Sequence, residues 1–284
     1  MHYDPIKKTL GNFFFRRALT HKLFYFLLDF VLLRTWHIHK ALKSYAKRKA
    51  KEQTVTVLDA GSGLGQYTYY LARKHPNWQI KAVDIKREEL DICRQFFETC
   101  GIKNAEFSFE DLTAFVSSQA FDLILSVDVM EHIEDDGAVF ANFYQSLKAG
   151  GMLLINTPSD KGGSDAHNHE DTSFVGEHVR NGYSIEEIEM KLQKAGFESI
   201  SARYTYGVPG NLSWRISMKY PILCLGVSKW LMLLLPFYYM LVLPVIVTLN
   251  LADIWMSHSS GTGLQVTTIK GWPETEIRGN DMGN

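Results

Sequence analysis

The chain has 284 residues, enough for one α/β domain with an appendage and too few for two full-sized domains, and its 46% apolar content is ample for a core. A formal charge of −1 offers no general attraction to nucleic acid. The cysteines Cys93, Cys100 and Cys224 have neither metal-ligand spacing nor the even count of a secreted disulfide framework, so a reducing cytoplasm is expected.

The charge is unevenly placed. Before Glu52, twelve Lys and Arg residues face only Asp4 and Asp29, which sets residues 1–51 apart as a basic helical arm. The first residues lack the apolar core and cleavage site of a secretory signal. Between Phe13 and Trp36 the arm mixes aromatics, aliphatics and cations, the composition of an amphipathic helix lying on a lipid surface. A helix that packs its apolar side on the following domain and lids a ligand has the same composition, and both readings can hold together.

Residues 52–284 read as a single domain. A hydrophobic strand from Val55 ends in Asp59 and enters the turn Gly61-Ser62-Gly63-Leu64-Gly65, with a helix expected from about Gln66. Glycines at such a turn accept positive φ and carry no Cβ, so the backbone can approach a nucleotide-like ligand. Gln79–Asp84 reads as a second strand ending in a carboxylate, the position that grips ribose hydroxyls. Ala105–Asp111 is a third, Phe121–Asp128 a fourth, followed by Met130-Glu131-His132-Ile133, and Gly151–Asn156 a fifth after the turn at Lys148–Gly151. Strands alternating with helical segments of about ten to fifteen residues predict a doubly wound, mostly parallel sheet.

From Val55 to about Lys270 the sequence resembles the class I S-adenosylmethionine-dependent methyltransferases, particularly the small-molecule branch that methylates quinones and lipids. The resemblance implies a seven-stranded Rossmann-like sheet and S-adenosylmethionine as cofactor. It assigns Gly61, Gly63 and Gly65 to the methionine and ribose portion, Asp84 to the ribose hydroxyls and Asp111 to the adenine amino group. Ser126, Val127 and Asp128 would wall the sulfonium, and Asp59 would support the glycine loop or the methionine ammonium. A dinucleotide-binding dehydrogenase is the competing reading, but its fingerprint requires a glycine where this chain has Gln66.

After the fifth strand, residues 156–183 form a polar, glycine-containing loop at the ligand edge, and Ser184 with Glu187 has capping-box spacing for the next helix. His167, His169 and His178 are the candidate bases for a hydroxyl substrate, since histidine titrates near neutrality. Each has the alternative of holding loop backbone. His132 resembles a helix-start residue behind the cofactor, a structural place. His167, His169, Glu170 and Asp171 match no ligand motif, so no metal is expected.

Ser199–Tyr206 and Gly263–Lys270 read as the sixth and seventh strands. Between them, at about 207–261, lies an insert whose stretch Trp230–Leu249 has the length and apolarity of a transmembrane helix. In the class I fold both flanking strands belong to one sheet, so the insert must begin and end on one side of a membrane, and a single crossing is forbidden. Pro221, Pro236 and Pro244 are expected to divide the stretch into pieces too short to span, giving a helical hairpin in one leaflet or on it. The alternatives are a buried substrate cap or an oligomer interface.

The sequence thus predicts a methyltransferase acting on a lipophilic small molecule or lipid, at oxygen, peripheral or monotopic on the cytoplasmic side of a membrane through the arm and the 222–256 insert. A soluble enzyme whose insert encloses the substrate is the alternative, and a non-catalytic membrane scaffold retaining the fold is a third. Neither DNA nor RNA is expected as partner.

Overall fold

The computed structural model describes residues 15, 17–49, 54–162 and 179–272. Seven strands form one sheet: β1 (Thr56–Ala60), β2 (Gln79–Asp84), β3 (Ala105–Phe109), β4 (Phe121–Val127), β5 (Leu147–Pro158), β6 (Ser199–Thr205) and β7 (Gly263–Ile269). Their order is β3-β2-β1-β4-β5-β7-β6, with β7 antiparallel to both neighbours and every other pairing parallel. β4 is buried almost throughout, as a near-continuous apolar run requires when both faces are covered.

Alternate residues serve two cores. Val57, Leu123, Leu125 and Leu154 face one side, while Leu58, Ile124, Leu153 and Ile155 face the other. Helices α1 (Ala18–Val31), α2 (Leu33–Arg48), α3 (Gln66–Lys74) and α4 (Arg87–Thr99) cover the first side, and α5 (Asp136–Ser146) and α6 (Ile185–Lys194) the second. α6 starts where the capping spacing predicts, the Glu187 N–H donating to Ser184 Oγ at 3.0 Å.

Two strand boundaries differ from the expected ones. β3 stops at Phe109: the Glu110 N–H still donates to the Asp84 carbonyl, but Asp111 turns into the following loop, where it accepts from Thr113. β5 begins at Leu147 rather than Gly151, the positive φ of Gly150 carrying the backbone through a register shift opposite Phe121 and Leu123.

The arm is part of the fold. Tyr25, Ile38, Leu42 and Tyr45 are buried in the first core. Each such burial is worth about 1.5–3 kcal/mol, more than the roughly 1 kcal/mol an arm cation gains at an anionic membrane. The other side of α1 leaves Leu19, Leu23, Phe26 and Leu27 exposed at helical spacing.

The insert leaves the ligand edge at Thr205 and returns at Gly263, two residues paired in register. It consists of α7 (Val208–Trp214), a π segment (Arg215–Lys219), α8 (Tyr220–Val227), a 3-10 turn (Lys229–Leu234) and α9 (Leu235–Trp255). The prolines do not fragment it as expected. Pro221 and Pro236 fall just after the π segment passes into α8 and the 3-10 turn into α9, junctions at which the bonding pattern already changes, and Pro244 lies inside an α9 that continues past it. The result is a hairpin whose two legs, 208–227 and 235–255, are each about 30 Å long at 1.5 Å per residue. Tyr238 and Tyr239 tie the legs together by donating to the Ile216 and Ser217 carbonyls of the π segment at 2.7 and 2.6 Å.

Candidate active site

The carboxyl ends of β1, β2 and β4 converge on the glycine turn. Gly61, Gly63 and Gly65 have φ of +77°, +50° and +73°, a region that side chains other than glycine rarely enter. A Cβ on Gly61 would also lie 2.3 Å from the Val129 side chain. The Gly61 and Ser62 N–H groups donate to the Val83 carbonyl, pinning the turn to the end of β2. Behind it Asp59 is buried and accepts from Thr68 Oγ1 at 2.5 Å, which joins the strand end to α3, and burial pushes its pKa up to about 6.

Asp84 ends β2 and points into this edge: Oδ2 accepts from the Gly63 N–H at 2.8 Å and Oδ1 from the Lys86 N–H at 2.9 Å. Each oxygen retains a lone pair for a further donor. The buried hydroxyls of Ser62 and Ser126 have no partner among the described residues, so donors and acceptors are available around the turn for a polar ligand. Asp111 lies two residues past β3 with an exposed carboxylate. These residues fit the methionine, ribose and adenine portions of S-adenosylmethionine.

Beside the turn, at the ends of β4, β5 and β7, is a cavity of about 150 Å³ lined by Arg34, Asp128, Asn156, Tyr206, Asn211 and Trp214 among others. Val127 ends β4, and Asp128 follows at φ +52°, its N–H held by the Asn156 carbonyl at 2.8 Å. The Arg34 guanidinium donates to the Asp128 carboxylate. Sequence reading missed Arg34, Tyr206 and Asn156 as site residues. Arg34 carries no local signal, since it stands between Leu33 and Thr35 as any cation of the arm could.

The arm also grips the glycine turn. The Tyr25 hydroxyl donates to the Leu64 carbonyl, and Gln66 Nε2 donates to Asp29 at 2.7 Å. Glu131, in a 3-10 turn at Met130–His132, is 1% exposed and accepts from Thr157 Oγ1 at 3.1 Å. Burial, and then the nearby Asp128 charge, push its pKa up to about 8. His132 closes that turn through its N–H to the Val129 carbonyl.

His167, His169 and His178 lie outside the described residues. Their loop is re-anchored directly afterwards, the Val179 N–H donating to the Glu131 carbonyl. Arg180 bonds to Asp136 and to the Ile133 and Glu134 carbonyls, and the buried Tyr183 hydroxyl donates to Asp136 at 2.7 Å.

A family model described as a methyltransferase domain matches residues 51–202. Phosphoethanolamine N-methyltransferase 1 of Triticum aestivum is 29% identical over 152 residues, covering 51% of this chain and 29% of that protein. A malonyl-[acyl-carrier protein] O-methyltransferase of Bacillus cereus is 26% identical over 119 residues, 42% of this chain and 43% of that protein. The matched segments thus span less than half of either relative. Among solved structures, Haemonchus contortus phosphoethanolamine N-methyltransferase 2 in complex with S-adenosyl-L-methionine is similar with a TM-score of 0.59 and 17% identity, covering 88% of this chain and 60% of that one. The [4+2]-cyclase SpnF is similar at 0.56 and 16%, covering 82% and 81%. At these identities the likeness concerns the fold. The family match, the strand order and the glycine turn together make this chain a member of the methyltransferase-domain family, with the class I fold and S-adenosylmethionine as its methyl donor.

Proposed function

We propose that this chain transfers a methyl group from S-adenosylmethionine to a hydroxyl of a lipophilic small molecule or lipid, while bound monotopically to the cytoplasmic surface of a membrane. One observation carries the reading: Asn211 and Trp214, in the root of the apolar hairpin, line the same cavity as Asp128 and Asn156. Trp230–Trp255 is apolar and long enough to cross a membrane, yet little of its most apolar window is buried. Phe237, Met240, Leu241 and Val245 are exposed there. So contiguous an apolar surface is a liability in water and an asset in lipid. A substrate dissolved in the bilayer would pass along it to the cavity without crossing water.

S-adenosylmethionine supplies a methyl carbon made electrophilic by its sulfonium. The glycine turn and Asp84 hold and orient the donor, with Ser126, Val127 and Asp128 beside the reacting carbon and Asp111 at the adenine. Tyr25 and Arg34 close the arm over the edge and exclude water, which favours an in-line displacement. The acceptor oxygen forms the new bond to carbon as the sulfur–carbon bond breaks and its electron pair stays on sulfur. The hydroxyl proton passes to a base in the 156–183 loop, for which we favour His178 over His167 and His169 because it precedes the anchored Val179 and Arg180.

The test is to incubate the full chain and membranes with S-adenosylmethionine bearing a deuterated methyl group. The label is expected in an organic-phase product with an acid-stable, base-stable ether mass balance. Label confined to water-soluble products would overturn the lipophilic substrate, and label on nitrogen would overturn the acceptor.

A further inference from the structure

A second cavity, of about 280 Å³, lies away from the ligand edge, between α2 and the sheet face formed by β5, β6 and β7. Lys40 and Arg48 enter from α2 and Arg203 from β6, with Ser44, Ser201 and Thr267 between them. Its ionisable lining is wholly cationic: among the described residues no carboxylate borders it. Asp253, whose charge reaches Arg203, is buried behind and already accepts from His37 and from the Tyr206 and Gly210 N–H groups.

The cations are held in place by neutral partners. Arg203 donates to Gln265 Oε1 at 3.1 and 2.5 Å, Arg48 to Met152 Sδ at 3.3 Å, and Lys40 to the Ile254 carbonyl at 2.5 Å. Because Gln265 gives its oxygen to Arg203, its amide nitrogen is the free end. Gln265 is 2% exposed, and among the described residues that Nε2 has no partner. A buried donor without an acceptor costs roughly 1–3 kcal/mol unless something supplies one. Three cations, hydroxyls and an orphaned amide donor around one cavity are complementary to an anion with several acceptor oxygens.

The location narrows the source. Lys40 Nζ also sits 4.5 Å over the ring of Trp255, which is 76% exposed at the root of the hairpin. We propose that this groove is a phosphate-binding site, distinct from the methyl-transfer cavity, that takes the headgroup of an anionic phospholipid where the hairpin meets the membrane. The phosphate chemistry follows from the groove, whereas its lipid source rests on the membrane reading above.

Two measurements separate these. Co-sedimentation of the full chain with phosphatidylcholine vesicles reads the hairpin alone, and the gain on adding phosphatidic acid reads the groove. Arg48→Gln with Arg203→Gln is expected to reduce that gain roughly tenfold more than Lys22→Gln with Lys43→Gln, which removes the same charge elsewhere on the arm. An equal reduction in the two pairs would overturn the site. Ser44→Glu, an exposed position that places a carboxylate among the cations, is expected to raise the thermal midpoint while abolishing the gain; retention of the gain would overturn it independently of folding. Calorimetry with glycerol phosphate completes the test. Groove-dependent binding of that soluble ester, without a groove-dependent vesicle gain, would keep the phosphate chemistry and overturn the lipid source.

Discussion

Arg34 and Asp128, 94 positions apart in the chain, form an ion pair across the boundary between the arm and the end of β4. On the proposed reading Asp128 would meet the sulfonium, and Arg34 offsets its charge. S-adenosylmethionine carries that positive charge and S-adenosylhomocysteine does not. Arg34→Gln should therefore raise the preference for the first over the second, by about fivefold if roughly 1 kcal/mol of screened attraction is released. Asp128→Asn should lower it. Calorimetric titration of both ligands measures the ratio; an unchanged ratio in both variants would place Asp128 away from the sulfonium.

The Asp84 carboxylate receives the Gly63 N–H, and on the proposed reading it also holds the ribose hydroxyls. Asp84→Ala should weaken cofactor binding by about 1–3 kcal/mol through the lost charge-assisted bonds. Equal affinity in a folded variant would show that the ribose lies elsewhere.

Glu131 should make stability depend on pH. Its folded pKa is raised, from 4.5 to about 8, so the stability associated with it is fully present below pH 4.5 and is lost as pH rises through 8. Asp59 and Asp29, each raised to about 6 by burial, act in the same direction at lower pH. Glu131→Gln keeps an acceptor for Thr157 and cannot ionise. Its thermal midpoint should match the wild type near pH 5 and exceed it by several degrees above pH 8; parallel curves at both pH values would refute the buried-acid reading.

Replacing residues 208–257 by a short flexible linker should leave the seven-stranded sheet intact, because Thr205 and Gly263 are paired neighbours. The shortened protein should leave the membrane fraction and still bind S-adenosylmethionine. Fractionation reads the first outcome, and undiminished membrane retention would assign attachment to the arm.

His178→Ala should lower turnover by about 10²- to 10⁴-fold, the usual contribution of a general base, with cofactor affinity preserved. Wild-type activity should also fall as pH drops through the histidine range. An unchanged rate and pH profile in the variant would make positioning the main catalytic device.

The glycine turn and the strand ends around it were legible in the sequence because each strand is an apolar run that stops at a charged or glycine residue: Asp59 to Gly61, Asp84, Ser126 to Asp128. Those signals are local. Arg34 was not legible, since its meaning lies in a partner on a distant strand, and nothing in Leu33-Arg34-Thr35 distinguishes it from a solvent-facing arm cation. The hairpin was legible as an insert, but its prolines misled. Helix breaking by proline depends on where it falls, and two of the three fall where a π segment or a 3-10 turn passes into α-helix, so the change of bonding pattern absorbs them. The early end of β3 follows from Asp111 preferring its own turn over the ladder, a competition that strand patterning does not register.

The order β5-β7-β6 also dictates a sequence of events at the ribosome. Among the described strands β6 pairs only with β7, which follows the hairpin in the chain, so β6 stays an open strand throughout synthesis of the hairpin. The most apolar part of the chain therefore emerges while the sheet is still unfinished, a stage at which exposed edges and oily segments promote aggregation. A lipid surface that takes up the hairpin during this interval would shelter the nascent chain and bring the two hairpin roots together, delivering β7 to the gap between β5 and β6. In that role a membrane would act as a chaperone for the chain.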